Sequence, residues 1–434
     1  MKIIDCRKKT HPELLFLKAR KYVDPAIEKV VSRVIQNVKE HGDTAIAQYV
    51  RKFDGVSLQP SEFRVREDEI KEAIRFVPKA ERKILQDIHE RIASFAWKGM
   101  KRNWHISTHG NGYIGEIYVP LDRVGVYVPG GTAPLVSTVL MTVTLASIAG
   151  VKEIVACTPC GRQNKKINPY LLYAMHICGV SEIFRIGGAQ AIAGMAFGTK
   201  TIRKVQKIVG PGGPYVTAAK RMVYGEVGID LVAGPSEIAI IADDSAQPEY
   251  VAADLLSQAE HGSGAEKCLL LTDSMELAKA VRVKIKKLVP VLNRQMEIKK
   301  VIREGMYCVV TPDLDKAVEL CNQFAPEHLE IITKNPKKLL RNVKYAGAVF
   351  IGQWTPESVG DYYAGPSHVL PTGGTAIMFS GLTPDDFRRH YSLIAFSRAD
   401  LLSALHAIEL MGEIEGLDAH VLSAQIRFHK QYPV

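Results

Sequence analysis

Beyond residue 111, apolar segments of strand length alternate with segments of helix length, and this alternation constrains the fold more than any other feature. Strands separated by helices form right-handed crossovers, which build a mainly parallel sheet. Two such series follow each other, so the sequence predicts an α/β protein with two Rossmann-like parallel-sheet domains. The first series has predicted strands at 113–119, 124–128, 153–156, 182–186 and 207–209 with helices at 170–178, 189–197 and 215–223, and the second has predicted strands at 237–241, 268–271, 306–310, 329–332 and 348–351.

The segments that flank these two series are predicted to be helical. Between residues 25 and 100, apolar residues such as Ile27, Val31 and Val34 recur at helical spacing. Residues 383–427 are predicted to be mostly helical apart from a short strand around 393–396. We expect this last section to be a tail that docks elsewhere.

Composition excludes several classes of protein. Hydrophobic residues make up 47% and no stretch approaches the roughly 20 apolar residues of a membrane span, so no membrane association is expected. The first nine residues show no features of an export signal, which leads us to expect a cytoplasmic protein. The net charge of +10 is spread over amphipathic helices such as 281–287. This pattern suits attraction of small anions such as a dinucleotide and predicts no nucleic-acid partner.

The seven cysteines are predicted to be reduced thiols, because an odd number scattered through a long chain does not form a disulfide framework. Only Cys157 and Cys160 have the spacing of a redox or metal motif. They lack a second such pair and follow an apolar strand, so we interpret them as structural.

Three glycine-containing turns, at 129–134, 187–190 and 210–214, each follow a predicted strand and precede a predicted helix. At such turns helix N-termini and small residues let a pyrophosphate approach the backbone amides. None of the three has the GxGxxG pattern, and glycine turns also serve connectivity alone. Both interpretations therefore stay open, although the clustering of the turns favours one dinucleotide-binding domain.

Gln258 and His261 are three residues apart in the predicted helix 251–261, so their side chains share one helical face. Gly262 follows at once and suits a helix C-terminus, which would leave His261 at the rim of a cleft. Taken alone, the pair fits a polar helix end better than a metal site. Residues in other segments of the sequence make a metal site the better interpretation.

Three later loops, 325–328, 360–368 and 415–420, carry histidines and carboxylates between glycines and prolines, where regular structure has little need of them. Imidazole with carboxylate or amide oxygen forms a mixed ligand set that suits zinc, with manganese or cobalt as substitutes. The sequence therefore predicts a metal site. The residues concerned are Glu327, His328, Asp361, His368, Glu415 and His420.

These segments also give the chain its resemblance to the histidinol dehydrogenase family. The resemblance covers nearly the whole length, and several long motifs occur in the family's order. They are Val124-Gly-Val-Tyr-Val-Pro-Gly-Gly131, Gly187-Gly-Ala-Gln-Ala-Ile-Ala193, Ala233-Gly-Pro-Ser-Glu237, Asp254-Leu-Leu-Ser-Gln-Ala-Glu-His-Gly262, Ala325-Pro-Glu-His-Leu329, Gly360-Asp361 and His368-Val-Leu-Pro-Thr372.

The resemblance implies a role for each matching residue. It implies acid–base catalysis by Glu327 and His328, and a homodimer whose C-terminal tail crosses to the partner, so that His420 completes the other subunit's site. The remaining implied roles are Zn²⁺ ligation by Gln258, His261, Asp361 and His420, substrate binding by these four with Glu327, His328, Ser236, His368 and Glu415, and NAD binding by Tyr127, Gln190 and the position of Gly213.

The resemblance also implies a reaction and a domain assignment. The family oxidises L-histidinol to L-histidine in two steps, each giving a hydride to NAD. A zinc hydrolase, a dehydrogenase for another small polar alcohol and a non-catalytic anion-binding protein remain the alternatives. We expect an N-terminal arm at 1–24, a metal and substrate domain at 25–128 joined with 237–381, an NAD-binding domain at 129–236, and a tail at 382–434 that docks on the partner subunit.

One position departs from the family pattern. Where the family usually has Asn after Gly-Pro-Gly, this chain has Gly213. The change removes an amide able to hydrogen-bond the cofactor, so a weaker or relocated NAD contact is expected.

Overall fold

The structure is a computed structural model, and it describes residues 1–7, 14, 17, 24–130 and 134–428. The chain forms two compact units, one from residues 1–99 with 121–387 and the other from 100–120 with 388–434. The first unit contains two parallel sheets, which confirms the predicted α/β class with two parallel-sheet regions. No helix in the described ranges has the length and apolar character needed to cross a membrane.

A six-stranded sheet has the order β1-β11-β10-β9-β12-β13, and all its described pairings are parallel. Strand β9 is buried over its whole length because helices cover both faces of the sheet. Its strands are β1 (Lys2–Asp5), β9 (Glu237–Ala242), β10 (Lys267–Thr272), β11 (Met306–Val310), β12 (His328–Ile332) and β13 (Ala348–Ile351), and its helices are α9 (Pro248–Ala259), α10 (Met275–Leu288), α11 (Gln295–Glu304), α12 (Leu314–Phe324), α13 (Pro336–Leu340) and α14 (Glu357–Tyr362).

A five-stranded parallel sheet has the order β6-β5-β4-β7-β8, with helices on both faces. Its strands are β4 (Arg123–Tyr127), β5 (Glu153–Cys157), β6 (Glu182–Phe184), β7 (Lys207–Val209) and β8 (Gly228–Ile229). The helices of this half are α1 (Pro25–His41), α2 (Asp43–Tyr49), α3 (Glu67–Phe76), α4 (Lys79–Gly99), α5 (Val136–Ile148), α6 (Pro169–Cys178), α7 (Gly188–Phe197) and α8 (Pro214–Val223).

The predicted grouping of residues 25–128 with 237–381 is wrong. Strand β4 lies at the centre of the five-stranded sheet, between β5 and β7. Helix α1 packs on α7 and α8, and α4 packs on α5. The helical N-terminal section therefore shares a core with the predicted cofactor-binding segment, because its apolar faces are covered there. Strand β1 also extends the six-stranded sheet, so residues 2–5 are more than a free arm.

The second unit contains a three-stranded antiparallel sheet of order β14-β3-β2 and two helices. The elements are β2 (Trp104–Ser107), β3 (Tyr113–Pro120), β14 (Arg388–Ala395), α15 (Arg398–Glu415) and α16 (Asp418–Gln425). The strand predicted around 393–396 is thus the end of an eight-residue strand. Its pairing partner β3 comes from a segment more than 260 residues earlier, which local periodicity could not reveal.

Candidate metal and active site

A cleft of about 160 Å³ opens where the amino ends of β9 and β12 face the loop after β7. It brings together residues that the sequence distributes over more than 130 positions. The predicted site residues that line it are Ser236, His261, Glu327, His328, Asp361 and His368.

Gln258 lies at the end of α9, and its orientation follows from its neighbours. The helix ends at Ala259, two residues earlier than predicted, and His261 lies in the following turn. Two oxygen acceptors, the Glu237 carbonyl and Glu357 Oε1, lie 3.1 and 3.2 Å from one end of the buried Gln258 amide. That end is therefore the NH₂ group, and the amide oxygen accepts from His261 Nδ1 at 3.2 Å.

The short helix α14 presents Asp361 to three histidines. Its carboxylate oxygens lie 3.6 Å from His328 Nε2, 3.8 Å from His368 Nδ1 and 4.0 Å from His261 Nε2. Gly360 makes this approach possible, because a Cβ there would lie 2.5 Å from the Phe350 ring on β13. The Gly-Asp motif thus has a packing reason as well as a chemical one.

Glu327 and His328 are buried at the start of β12. Ala325, in the left-handed region with φ 44°, redirects the chain from α12 into this strand. Glu327 Oε2 accepts from the backbone N–H of Glu237 at 3.0 Å, and His328 Nδ1 lies 3.3 Å from the Glu237 carbonyl oxygen. His328 Nε2 is buried without a hydrogen-bond partner among the described residues, and the residue lines the cleft.

The electrostatics of this pair follow from burial among carboxylates. Burial raises the pKa of Glu327 to about 7, with the neighbouring His328 opposing the shift. Burial would lower the pKa of His328, but Glu327, Asp361 and Glu357 outweigh it and raise that pKa to about 10. The pKa of His368 is lowered by burial, against the pull of Asp361. The site therefore holds one carboxyl that titrates near neutral pH and an imidazole whose charge depends on nearby acids.

The residues present suit a divalent metal ion. Donor atoms of His261, Glu357 and Asp361 lie within 4.8 Å of one another, and the Gln258 amide oxygen faces the same histidine. Nitrogen and oxygen donors in this combination match the preferences of zinc. Glu357 was not among the residues predicted from the sequence. Its spacing of four from Asp361 on a helix was the signal that could have found it.

The predicted cofactor residues lie at the carboxyl end of the five-stranded sheet. The Tyr127 hydroxyl accepts from the backbone N–H of Gly188 at 3.0 Å, and Gln190 is fully buried with neither amide atom hydrogen-bonded to any described residue. Gly213 is the N-cap of α8, and a Cβ there would meet no atom within 4 Å. Residues 131–133 of the first glycine turn lie outside the described residues.

A buried ion pair holds the third glycine turn at the cleft. Lys220 donates to the Gly210 carbonyl at 2.8 Å, and Asp230 pairs with Lys220 and accepts from the Gly210 N–H at 2.7 Å. Gly210 itself has φ 110°, and a Cβ would lie 2.2 Å from the Tyr127 carbonyl oxygen. Sequence reasoning found the turn but not the pair that fixes it.

Two predicted residues belong to the second unit. Glu415 is the last residue of α15, and His420 is exposed on α16. The other candidate ligands all belong to the first unit.

Comparison with known proteins decides the family. The sequence model described as histidinol dehydrogenase matches residues 17–428 of the 434-residue chain. The chain belongs to the histidinol dehydrogenase family. Among curated relatives, the histidinol dehydrogenase of Carboxydothermus hydrogenoformans is 44% identical over 412 residues, covering 95% of this chain and 96% of the relative. That of Bacillus cereus is 45% identical over 410 residues, covering 94% of each.

A solved histidinol dehydrogenase from Elizabethkingia anophelis matches with a TM-score of 0.93 at 35% identity and covers 98% of each chain. The resemblance inferred from the motifs is thereby confirmed. Membership in the histidinol dehydrogenase family makes this protein a dehydrogenase, an oxidoreductase of histidine biosynthesis. It decides against a zinc hydrolase and against a non-catalytic anion-binding protein.

Proposed function

We propose that this protein is a zinc-dependent enzyme that oxidises L-histidinol to L-histidine, with histidinaldehyde held between two NAD-linked steps. One observation carries the proposal: the donor atoms around His261 and Asp361 converge in the same cleft as Glu327 and the unpartnered Nε2 of His328. A ligand cluster beside an acid–base pair suits the oxidation of a substrate that also carries nitrogen ligands.

Gln258, His261 and Asp361 would hold the zinc ion, and His420 of a second copy would complete the set. Bound Zn²⁺ would supply fixed positive charge, which balances the carboxylates around His328 and orients the substrate's imidazole and amino nitrogens. Ser236 and His368 line the same cleft and would contact the substrate. Glu415, like His420, would reach it from the second copy.

His328 would accept the hydroxyl proton in the first oxidation, once bound Zn²⁺ offsets the carboxylates that raise the pKa of this imidazole. Its Nδ1 lies 3.3 Å from the Glu237 carbonyl oxygen, so a proton on Nδ1 would donate there and leave Nε2 unprotonated toward the cleft. A base at Nε2 would remove the substrate's hydroxyl proton, and NAD, when bound, would supply the hydride acceptor that completes the oxidation of the alcohol to the aldehyde.

Glu327 would serve the second oxidation. A carboxyl with a pKa of about 7 is half ionised at neutral pH, so it can take a proton from the water that adds to the aldehyde carbon. The hydrate then loses a second hydride and becomes the carboxylate. Each turnover thus consumes one water and reduces two NAD.

The cofactor would bind at the carboxyl end of the five-stranded sheet, beside Tyr127, Gln190 and Gly213. Gln190 supports this proposal because its buried amide has no partner within the described residues, and burial of an unpaired amide is costly unless a ligand satisfies it.

A homodimer is also part of the proposal. The second unit exposes apolar side chains on its strands and helices, and an apolar surface of this kind suits a subunit interface. Ile394 is 70% exposed on β14 and Ile414 is 68% exposed on α15. Within the described residues, Cys157, Cys160, Cys178, Cys268, Cys308 and Cys321 are free thiols, which supports the proposed cytoplasmic location.

The substrate assignment is tested by comparing amino alcohols. L-histidinol should be oxidised with NAD, whereas L-alaninol, which has the same amino alcohol group without the imidazole, should give less than about 1% of that rate because one metal-binding nitrogen is missing. Equal rates for the two compounds would point instead to a dehydrogenase for another small polar alcohol.

A further inference from the structure

We infer that Glu357 is a positioning residue for the metal site: its carboxylate fixes the amide of Gln258 with the oxygen toward the ligand cluster. The inference rests on the proposed zinc site and adds a residue to which neither the sequence motifs nor the resemblance assigns a role. It begins from a property of glutamine. The two ends of an amide have the same shape, so only hydrogen-bond partners decide which end faces a metal.

The hydrogen-bond partners around Gln258 determine the orientation of its amide. Glu357 Oε1 lies 3.2 Å from the amide nitrogen, and the Glu237 carbonyl oxygen and His328 Nδ1 each lie 3.1 Å from it. The two hydrogens of the NH₂ group can point to the two oxygens, which lie on the side away from His261 and of which Glu357 supplies the only carboxylate. Since Glu357 is a carboxylate, its bond is the charge-assisted one of the pair.

Glu357 is itself held in place from two sides. Its Oε2 accepts from the Ser257 hydroxyl at 2.7 Å, and its backbone N–H donates to Glu330 Oε1 at 2.7 Å. The side chain is 1% exposed. Rotation away from Gln258 would break a buried hydrogen bond, so the acceptor stays aimed at the amide.

Direct ligation by Glu357 is the competing role, because its carboxylate belongs to the group of donor atoms within 4.8 Å. We favour positioning because one of its oxygens is committed to Ser257 and the other to Gln258. Outer partners of this kind orient metal ligands, and their loss typically weakens metal binding about 10- to 100-fold.

Three substitutions at Glu357 distinguish the effect of side-chain length from the effect of charge. Glu357→Ala removes the acceptor. Glu357→Asp keeps the charge but shortens the side chain by one methylene, so it cannot contact Ser257 and Gln258 together. Glu357→Gln loses the charge but keeps an oxygen for the Gln258 NH₂, while its own NH₂ can donate to the Ser257 hydroxyl, which donates in turn to the Asp254 carbonyl.

The test is the Zn²⁺ dissociation constant of the full-length protein, measured by competition with a chelating dye, together with the visible spectrum of the Co²⁺-substituted protein. Asp243→Asn is the matched control, since Asp243 is a buried carboxylate of the same sheet that accepts from Ser245 and Lys334. We expect Ala and Asp to weaken Zn²⁺ binding about 10- to 100-fold, and Gln and the control to change it less than about threefold. The Co²⁺ spectrum of the Gln variant should match that of the wild type.

Two results would overturn the inference. Unchanged affinity in both the Ala and Asp variants would show that Glu357 does not orient the ligand. A Gln variant that loses affinity as strongly as Ala and changes the Co²⁺ spectrum would identify a direct ligand. If the Glu357→Ala variant fails to fold, the Glu357→Asp and Glu357→Gln variants still test the inference, because Zn²⁺ affinity is expected to fall in the first and to stay nearly unchanged in the second. A wild type that binds no Zn²⁺ would overturn the zinc proposal as well, whereas equal binding by wild type and variants would overturn this inference alone.

Discussion

His328 Nε2 lies 3.6 Å from Asp361 Oδ1, so the proposed base and a proposed metal ligand share one wall of the cleft. The two side chains come from β12 and from α14, which meet only because Gly360 lets α14 pack on Phe350. Such closeness raises the question of whether the two residues can be separated by experiment. Their proposed functions predict opposite responses.

Changing His328 to Asn should slow the first oxidation while zinc content stays near that of the wild type. Loss of a general base typically lowers kcat about 10²- to 10⁴-fold, and Asn cannot accept the hydroxyl proton at neutral pH. The measurement is kcat with L-histidinol alongside metal analysis of the same sample. A variant that keeps its rate but loses zinc would reverse the assignment of base and ligand.

Changing Asp361 to Ala should instead lower the zinc content. The substitution removes a carboxylate donor and leaves His261 and Gln258 to face an incomplete site. Asp361→Asn serves as the control of matched shape, since it keeps an oxygen donor and should retain more metal than Ala. Full zinc occupancy in the Ala variant would exclude Asp361 as a ligand.

The trans role of His420 can be read from a mixture of two inactive variants. If His420 completes the partner's site, a heterodimer of Asp361→Ala and His420→Ala contains one intact site and one doubly damaged site. Unfolding and refolding an equal mixture should then restore about 25% of the wild-type activity, because half of the dimers are mixed. Recovery would be absent if His420 acted within its own chain.

Gly213 offers a test of the cofactor contact. The position is open, with extended backbone at the N-cap of α8, so Asn fits there and is also a favourable N-cap. Gly213→Asn should lower the KM for NAD about 2- to 10-fold, with little change in kcat. This range corresponds to the net free energy that one added hydrogen bond contributes to binding. Gly213→Ala adds a Cβ without an amide and is the control. An equal change in both variants would attribute the effect to the backbone.

Asp54 predicts a pH-dependent stability. Burial raises the pKa of the Asp54 carboxyl from its ordinary value of 3.8 to about 6 in the folded chain, so the folded state binds its proton more tightly. The stability that this proton contributes is present below pH about 4 and is lost as pH rises through about 6. Asp54→Asn should therefore raise the Tm relative to the wild type at pH 8 and not at pH 4. A Tm difference that is the same at both pH values would contradict the shift.

Some elements of the fold could be predicted from the sequence and others could not. Strands β7, β11 and β13 were predicted to the residue, because buried parallel strands are short apolar runs between clear breaks. The grouping of the N-terminal helices was wrong because an amphipathic face shows that it is buried but not which sheet covers it. The antiparallel sheet joins segments about 270 residues apart, beyond the reach of any local pattern.

The same limit applies to the site. Gln258 and His261 were predicted as a pair on one helical face and Asp361 as an acid in a glycine-flanked loop, and the resemblance implied that all three bind the metal. Glu357 did not stand out, since a glutamate in the first turn of a short helix is ordinary in sequence. Its spacing of four from Asp361 places both residues on one helical face, but its contact with Gln258, on a different helix, is visible only in the structure.

The most direct test of the account is the number of NADH formed per L-histidinol at complete conversion, with zinc content measured in the same preparation. The account predicts two NADH per substrate, loss of activity after chelation and recovery on adding Zn²⁺. A yield of one NADH per substrate, or full turnover in protein shown to be free of metal, would contradict it.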